Sequence, residues 1–275
     1  MTRADLDIAS EWARREGWNP GISDADCFYP ADQDGFLMGF LGDEPVACIS
    51  VVRYGPQFGF LGFYIVKPEH RGKGYGLNIW NAGMQFLKRR TVGLDGVLQQ
   101  QENYRKSGYT LAYRNIRYVA RAQCYGVVAG IVDAATVPFE DIMALDAEVF
   151  PARREVFMRR WIQQPTGRAL ALVDKDAGGS LQAFGAIRRA HTGYKIGPLY
   201  AANLQQADAL YRALVSSADS GAEVFLDTPE CNPAALLLAS KYSMTKVFET
   251  VRMYSGPAPD LNLDKVFGVC TFELG

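Results

Sequence analysis

Histidine is almost missing from this chain: His70 and His191 are the only two in 275 residues. Histidine-rich metal chemistry is therefore disfavoured, and a Ser-His-Asp arrangement has few ways to be built. Cysteine is sparse as well. Cys27, Cys48, Cys124, Cys231 and Cys270 are odd in number, scattered, and never in a CxxC or Cys/His ligand spacing. Neither a disulfide framework nor a zinc site is suggested, so the expectation is a reduced, cytoplasmic protein with no metal. No apolar run approaches the roughly 18 residues that span a bilayer. The first fifteen residues are interrupted by Asp5, Asp7 and Glu11 and lack the apolar core of a signal peptide. Charge of one sign is lacking too: the net charge is −1, with both signs interspersed. That argues against nucleic acid or an anionic membrane as a partner.

What is present is the balance of a soluble globular chain long enough for two domains, with 48% hydrophobic and 21% charged residues. Apolar spacing predicts a helix over the first fifteen residues, ended by the breakers in "EGWNPG". Strand-like runs at 35–41, 46–53 and 58–66, separated by short turns, read as an antiparallel meander. A helix over 76–90, a strand over 91–97, a short helix over 99–107 and a strand over 109–119 follow. The order then repeats: helices at 139–150 and 153–161, strands at 168–173, 181–190 and 194–201, a helix at 203–218, a strand at 223–227, a helix at 232–242 and a strand at 244–254. The letters barely match between halves, so the repeat is one of architecture. The expected division is 1–122, 127–256, and a tail over 257–275 whose "KVFGVCTFELG" can add a strand that seals a sheet edge.

The chemistry concentrates in "YIVKPEHRGKGYGLNIW", residues 64–80. A strand runs into Pro68, three alternating glycines follow, and an apolar-striped helix begins. A helix start offers unpaired N–H groups and the positive end of the dipole, and glycines let an anion approach them. The P-loop pattern fails because Lys73 is not followed by Ser or Thr in frame, and the dinucleotide fingerprint fails at Leu77.

Val66, Pro68, Glu69, Arg71, Gly74 and Gly76 resemble the acetyl-CoA signature of the GNAT-type acetyltransferases. "YRKSGY", Tyr104 to Tyr109, resembles that family's second motif. The resemblance implies an α+β fold of two tandem GNAT-like domains, each a mixed, mostly antiparallel sheet flanked by helices. It implies that Arg71, Gly72, Lys73, Gly74, Tyr75 and Gly76 hold the pyrophosphate of acetyl-CoA, and that Tyr64, Ile65 and Val66 pair with the pantetheine arm. It also implies that Tyr104 protonates the departing thiolate. The second half has neither glycines nor tyrosine at the matching places: "GPLYAANLQQADAL" replaces the loop, and Ala239 falls where the tyrosine would be. Its expected role is structural, or it walls the acceptor pocket. Trp18, Asp26 and Tyr29 are the candidate acceptor contacts; Asp227 and Glu230 are read as exposed turn acids, with acceptor contacts as the alternative. The general base is unassigned: Glu69, His70 and Asp26 are the candidates in the first half, and supply from the second half is the alternative. The expected reaction is direct acetyl transfer to a primary amine of a small molecule. The alternatives are a non-catalytic acyl-CoA-binding module and an aminoacyl transferase.

Overall fold

The computed structural model describes residues 1–174 and 178–275. Helix α1 (Arg3–Arg15) starts at a capping box in which Thr2 and Asp5 satisfy each other's N–H groups, and it buries Leu6, Ala9, Trp12 and Ala13. After a short α2 (Asp24–Phe28), strands β1 (Phe36–Leu41), β2 (Glu44–Tyr54) and β3 (Phe58–Val66) form the antiparallel meander. Next come α3 (Tyr75–Phe86), β4 (Thr91–Val97), α4 (Gln101–Lys106) and β5 (Thr110–Arg121). The second half comprises β6 (Ile131–Asp133), α5 (Phe139–Val149), α6 (Glu155–Ile162), β7 (Gly167–Asp174), β8 (Ser180–Arg189), β9 (Tyr194–Ala201), α7 (Leu204–Val215), β10 (Glu223–Pro229), α8 (Pro233–Lys241), β11 (Thr245–Tyr254) and β12 (Val266–Gly268). The element order agrees with the pattern in the sequence; α2 and β6 are additions, too short to leave a periodic signal.

All strands join one sheet in the order β1-β2-β3-β4-β11-β5-β10-β9-β8-β7-β6. The two halves therefore exchange their last strands. β11 lies antiparallel between β4 and β5, and β5 lies antiparallel between β11 and β10. An ion pair marks each crossing. Arg252 on β11 grips Asp95 on β4 at 2.6 and 2.9 Å, and Arg117 on β5 grips Asp227 on β10 at 2.6 and 2.8 Å. All four side chains are buried. Asp227, expected to be an exposed turn acid, is thus a buried structural partner, because the exchanged strand brings an arginine directly opposite it. Glu230 is exposed and accepts from the Arg114 N–H at 3.1 Å.

Each half also contains a split. β3 pairs with β4 only from Phe58 to Leu61, and β9 pairs with β10 only from Tyr194 to Ile196. The tail fills the second split: β12 pairs with β9, the Val269 N–H donates to the Asp227 carbonyl at 2.8 Å, and the Thr228 hydroxyl donates to the Phe267 carbonyl at 3.1 Å. It is packed inside the sheet rather than sealing an edge. A Cβ on Gly197 would lie 2.5 Å from the carbonyls of Val269 and Cys270, so glycine is what lets the tail in. Separate apolar cores lie under α3 and α4 in the first half and under α7 and α8 in the second, whereas α1, α2, α5, α6 and the tail share a third core across both halves. Phe28 stacked on Trp161 at 6.0 Å and Asp24 bonded to Arg188 at 2.8 Å fix the early loop onto the second half. Among the described residues, no helix is long and apolar enough to cross a membrane.

Candidate active site

The open split of the first half leads from the glycine loop to a closed-in cavity. A groove lined by Tyr64, Ile65, Val66, Arg71, Gly72, Gly74 and Gly76 on one side and by Val97, Gln99 and Gln100 on the other runs along it. Gly74 is the N-cap of α3, in left-handed geometry at φ 84°, and no side chain caps the helix. The first-turn N–H groups are consequently left for an external anion. The glycines serve different ends. Gly74 needs its positive φ, whereas a Cβ at Gly76 would come within 2.9 Å of the Tyr64 hydroxyl. In the second half the corresponding helix α7 is closed by its own side chain, since Asn203 accepts from the Gln206 N–H at 3.0 Å.

Arg71 is not a free cation. Its guanidinium donates to the Val66 carbonyl at 2.9 Å and to the Glu16 carboxylate, which tethers the loop to the end of β3 and to the segment after α1. Lys73 donates to the Glu69 carbonyl at 2.9 Å, and the ring of Tyr75 lies edge-on to His70, 6.0 Å away; neither is among the described lining residues of the groove.

At the inner end of the groove lies a cavity between the two halves. Trp18, Gly62, Phe63, Tyr64, Asp95 and Tyr104 from the first half line it together with Phe248, Thr250, Phe272 and Glu273. The register of β2 and β3 slips between Cys48/Ile65 and Ser50/Gly62, and Phe63 adopts φ 45° at that bulge. Such geometry in a bulky residue is strained and re-aims the strand where pairing with β4 ends. Tyr104 rises from α4 against Gly96, where a Cβ would lie 2.3 Å from its ring, and it stacks on Trp80 at 5.8 Å. Burial, followed by the neighbouring Tyr64, pushes its phenol well above the usual range, so the hydroxyl keeps its proton. Burial likewise raises the Asp95 carboxyl, although Arg252 opposes the shift.

Trp18 is the one acceptor candidate that lines the cavity. Asp26 pairs with Arg3 at 2.7 Å, and Tyr29 lies 6.2 Å from the Phe36 ring and donates to the Met1 carbonyl; neither is among the described cavity residues. Glu69 is exposed and His70 lies on the groove beside Glu44, so none of the three first-half base candidates lines the cavity. Phe248, Thr250, Phe272 and Glu273 went unnoticed. The one available signal was Glu273 itself, a lone carboxylate in the strand-like run "VFGVCTFELG".

A model described as the acetyltransferase (GNAT) family matches residues 6–109, and one described as an acetyltransferase (GNAT) domain matches residues 142–268. A curated relative, holothin acyltransferase of Pseudoalteromonas sp. (strain SANK 73390), is 31% identical over 269 residues, spanning 98% of this chain and 90% of its own length. A putative acetyltransferase from Pyrococcus horikoshii superposes with TM-score 0.84 at 22% identity over 100% of this chain and 94% of the other. A tandem GNAT protein from the clavulanic acid biosynthesis pathway gives 0.58 at 12% identity over 94% and 98%. At such identities the two structures speak for the fold alone. With both halves matched by family and an acyltransferase aligned along nearly the whole length, the chain belongs to the GNAT family of acyltransferases, as a tandem member.

Proposed function

We propose that the protein transfers an acetyl group from acetyl-CoA to the primary amine of a small molecule, by direct attack with both substrates bound. The observation that carries this reading is the continuous path from the uncapped start of α3, along Tyr64–Val66, to the cavity at Tyr104. The N–H groups at Arg71–Gly76 take the pyrophosphate, and the edge of Tyr64–Val66, beyond the end of its pairing with β4, takes the pantetheine arm as an added strand. The Val66 N–H is the donor assigned to the thioester carbonyl, and a donor positioned in advance accounts for much of such rate enhancement. The Tyr104 phenol, protonated at any physiological pH, supplies the proton for the departing sulfur. The curated relative is named as an acyltransferase of holothin.

Gly74→Asp puts a carboxylate into the anion cradle and strains a position at φ 84°. It is expected to abolish both calorimetric heat and thermal stabilisation by acetyl-CoA. An unchanged thermal shift contradicts the cradle. Tyr104→Phe is expected to lower kcat by roughly 10²-fold with little change in acetyl-CoA affinity. Wild-type turnover in that variant removes Tyr104 from the chemistry, and tight acetyl-CoA binding without CoA release in the wild type would favour a binding module.

A further inference from the structure

After filling the second split, the tail continues to the cavity of the first half, fastened along its backbone. The Leu274 N–H donates to the Thr271 hydroxyl at 2.9 Å, the Tyr54 hydroxyl to the Leu274 carbonyl at 3.0 Å, and Arg154 to the Gly275 carbonyl at 2.5 Å. Gly62 makes the approach possible, because a Cβ there would lie 2.1 Å from the Glu273 carbonyl. Against this satisfied backbone the Glu273 side chain stands apart. It is 2% exposed, it lines the cavity, and neither carboxylate oxygen has a hydrogen-bond partner among the described residues. Lys195 and Arg188 feel its charge, but neither comes within ion-pair distance. Removing a carboxylate from water without a partner is costly, and such groups persist where a ligand or a proton transfer uses them. The hydroxyl of Thr250, in the same cavity, also lacks a partner. The rings of Trp18, Phe63, Tyr104, Phe248 and Phe272 form much of the surrounding wall, with Leu61, Leu94 and Val97 beside them.

We propose that Glu273 is the catalytic residue that binds the acceptor's ammonium and takes its proton, and that the acceptor is a primary amine on a flat apolar body. The assignment rests on the acyl-transfer reading above. One proton passes from the ammonium to Glu273; the freed nitrogen lone pair forms the bond to the thioester carbonyl carbon as the carbon–sulfur bond breaks. The sulfur takes the Tyr104 proton, the nitrogen's second proton replaces it on the phenol, and Glu273 releases its own to water. The aromatic walls suit a flat body and stack favourably on a cation. Asp95 is unsuited to the task because Arg252 holds both its oxygens. The titratable groups around Glu273 are Asp95 on β4, Tyr64 on β3, Tyr104 on α4, Lys195 on β9 and Arg188 on β8. Burial and then Arg117 push Lys195 down to about 8, so its titration falls on the alkaline side of a rate profile.

The test uses the full chain, acetyl-CoA, and phenethylamine and tryptamine against lysine and spermidine. Phenethylamine and tryptamine are expected to give the higher kcat/KM. Glu273→Gln is expected to lower kcat by roughly 10²- to 10⁴-fold near neutral pH, with the deficit in kcat/KM shrinking as rising pH frees the amine of its proton, and to leave the thermal shift by acetyl-CoA unchanged. If that variant is too unstable to assay, Glu273→Asp decides: it keeps the charge and retracts it by one methylene, and kcat is expected to fall at least about tenfold. Wild-type kcat in the deciding variant overturns the assignment, as does a kcat/KM deficit in Glu273→Gln that stays constant as pH rises. Preference for lysine or spermidine, or no acetylation of any of the four amines, overturns the acceptor class. Absence of acetyl-CoA binding by the wild type defeats the acyl-transfer reading itself; normal binding and turnover with an unimpaired Glu273→Gln defeats only the role of Glu273.

Discussion

Lys195 sits on β9 with 2% of its side chain exposed, and its ammonium has no hydrogen-bond partner among the described residues; Asp227 is 4.0 Å away. Burial, then repulsion from Arg117, lowers its pKa from 10.5 to about 8, outweighing the pull of Glu273 and Asp227. The sign of the consequence follows from linkage. Between pH 8 and 10.5 the unfolded lysine holds its proton while the folded one has released it, so folding grows more favourable as pH rises through that window. Below pH 8 the charged form is buried in full, at a cost on the order of 3 kcal/mol from about 1.4 kcal/mol per pKa unit. Lys195→Met is therefore expected to be more stable than the wild type at pH 7, with the advantage shrinking towards pH 10.5. The buried thiols of Cys27, Cys48 and Cys270, all raised by burial, pull stability the other way at alkaline pH. Comparing the two proteins at each pH by urea titration cancels their contribution; a constant difference across the window would refute the buried charge.

Among the elements, legibility tracks locality. The helix starting at Tyr75, the strand ending at Val66 and the loop between them could be read because the glycines, the proline and the apolar stripe are neighbours in sequence. The absence of a glycine loop before α7 was readable for the same reason, and the structure adds that Asn203 caps that helix. The strand exchange was not readable. β5 and β11 have ordinary strand composition, and periodicity says which face a strand buries but not which neighbour it takes. A faint internal repeat was nevertheless present: "LD" at 94–95 and 226–227, and "IR" and "VR" at 116–117 and 251–252, are the two buried ion pairs. Its meaning depends on pairing Asp95 with a residue 157 positions away. The site divides along the same line. Tyr64, Val66, Gly74 and Gly76 line the groove as their local motif suggests, whereas Glu273 reaches the cavity only because the tail fills one split and comes to rest on Gly62 beside the other. Asp26 and Tyr29, close in sequence to Trp18, are turned away by α2, which packs on the second half.

At the scale of the molecule, the exchange makes the first half incomplete without the second. On its own, a chain of residues 1–126 would leave β4 and β5 without β11 between them and β5 without β10 on its far side. It would leave Asp95 buried without Arg252 and Arg117 without Asp227, and it would open the shared core at Phe157, Trp161 and Phe184. Breaking one buried ion pair typically costs about 3–5 kcal/mol, a large part of the 5–15 kcal/mol that separates a folded domain from its unfolded chain. Both pairs are lost here along with two strand interfaces, so the fragment should have no cooperative fold. The intact chain should instead unfold in urea as one transition, with tryptophan fluorescence (Trp12, Trp18 and Trp80 in the first half, Trp161 in the second) coinciding with far-UV circular dichroism. The outcome that would refute this coupling is a 1–126 fragment that melts cooperatively and still releases heat on titration with acetyl-CoA, because a self-sufficient first half would need neither the exchanged strand nor the tail that carries Glu273.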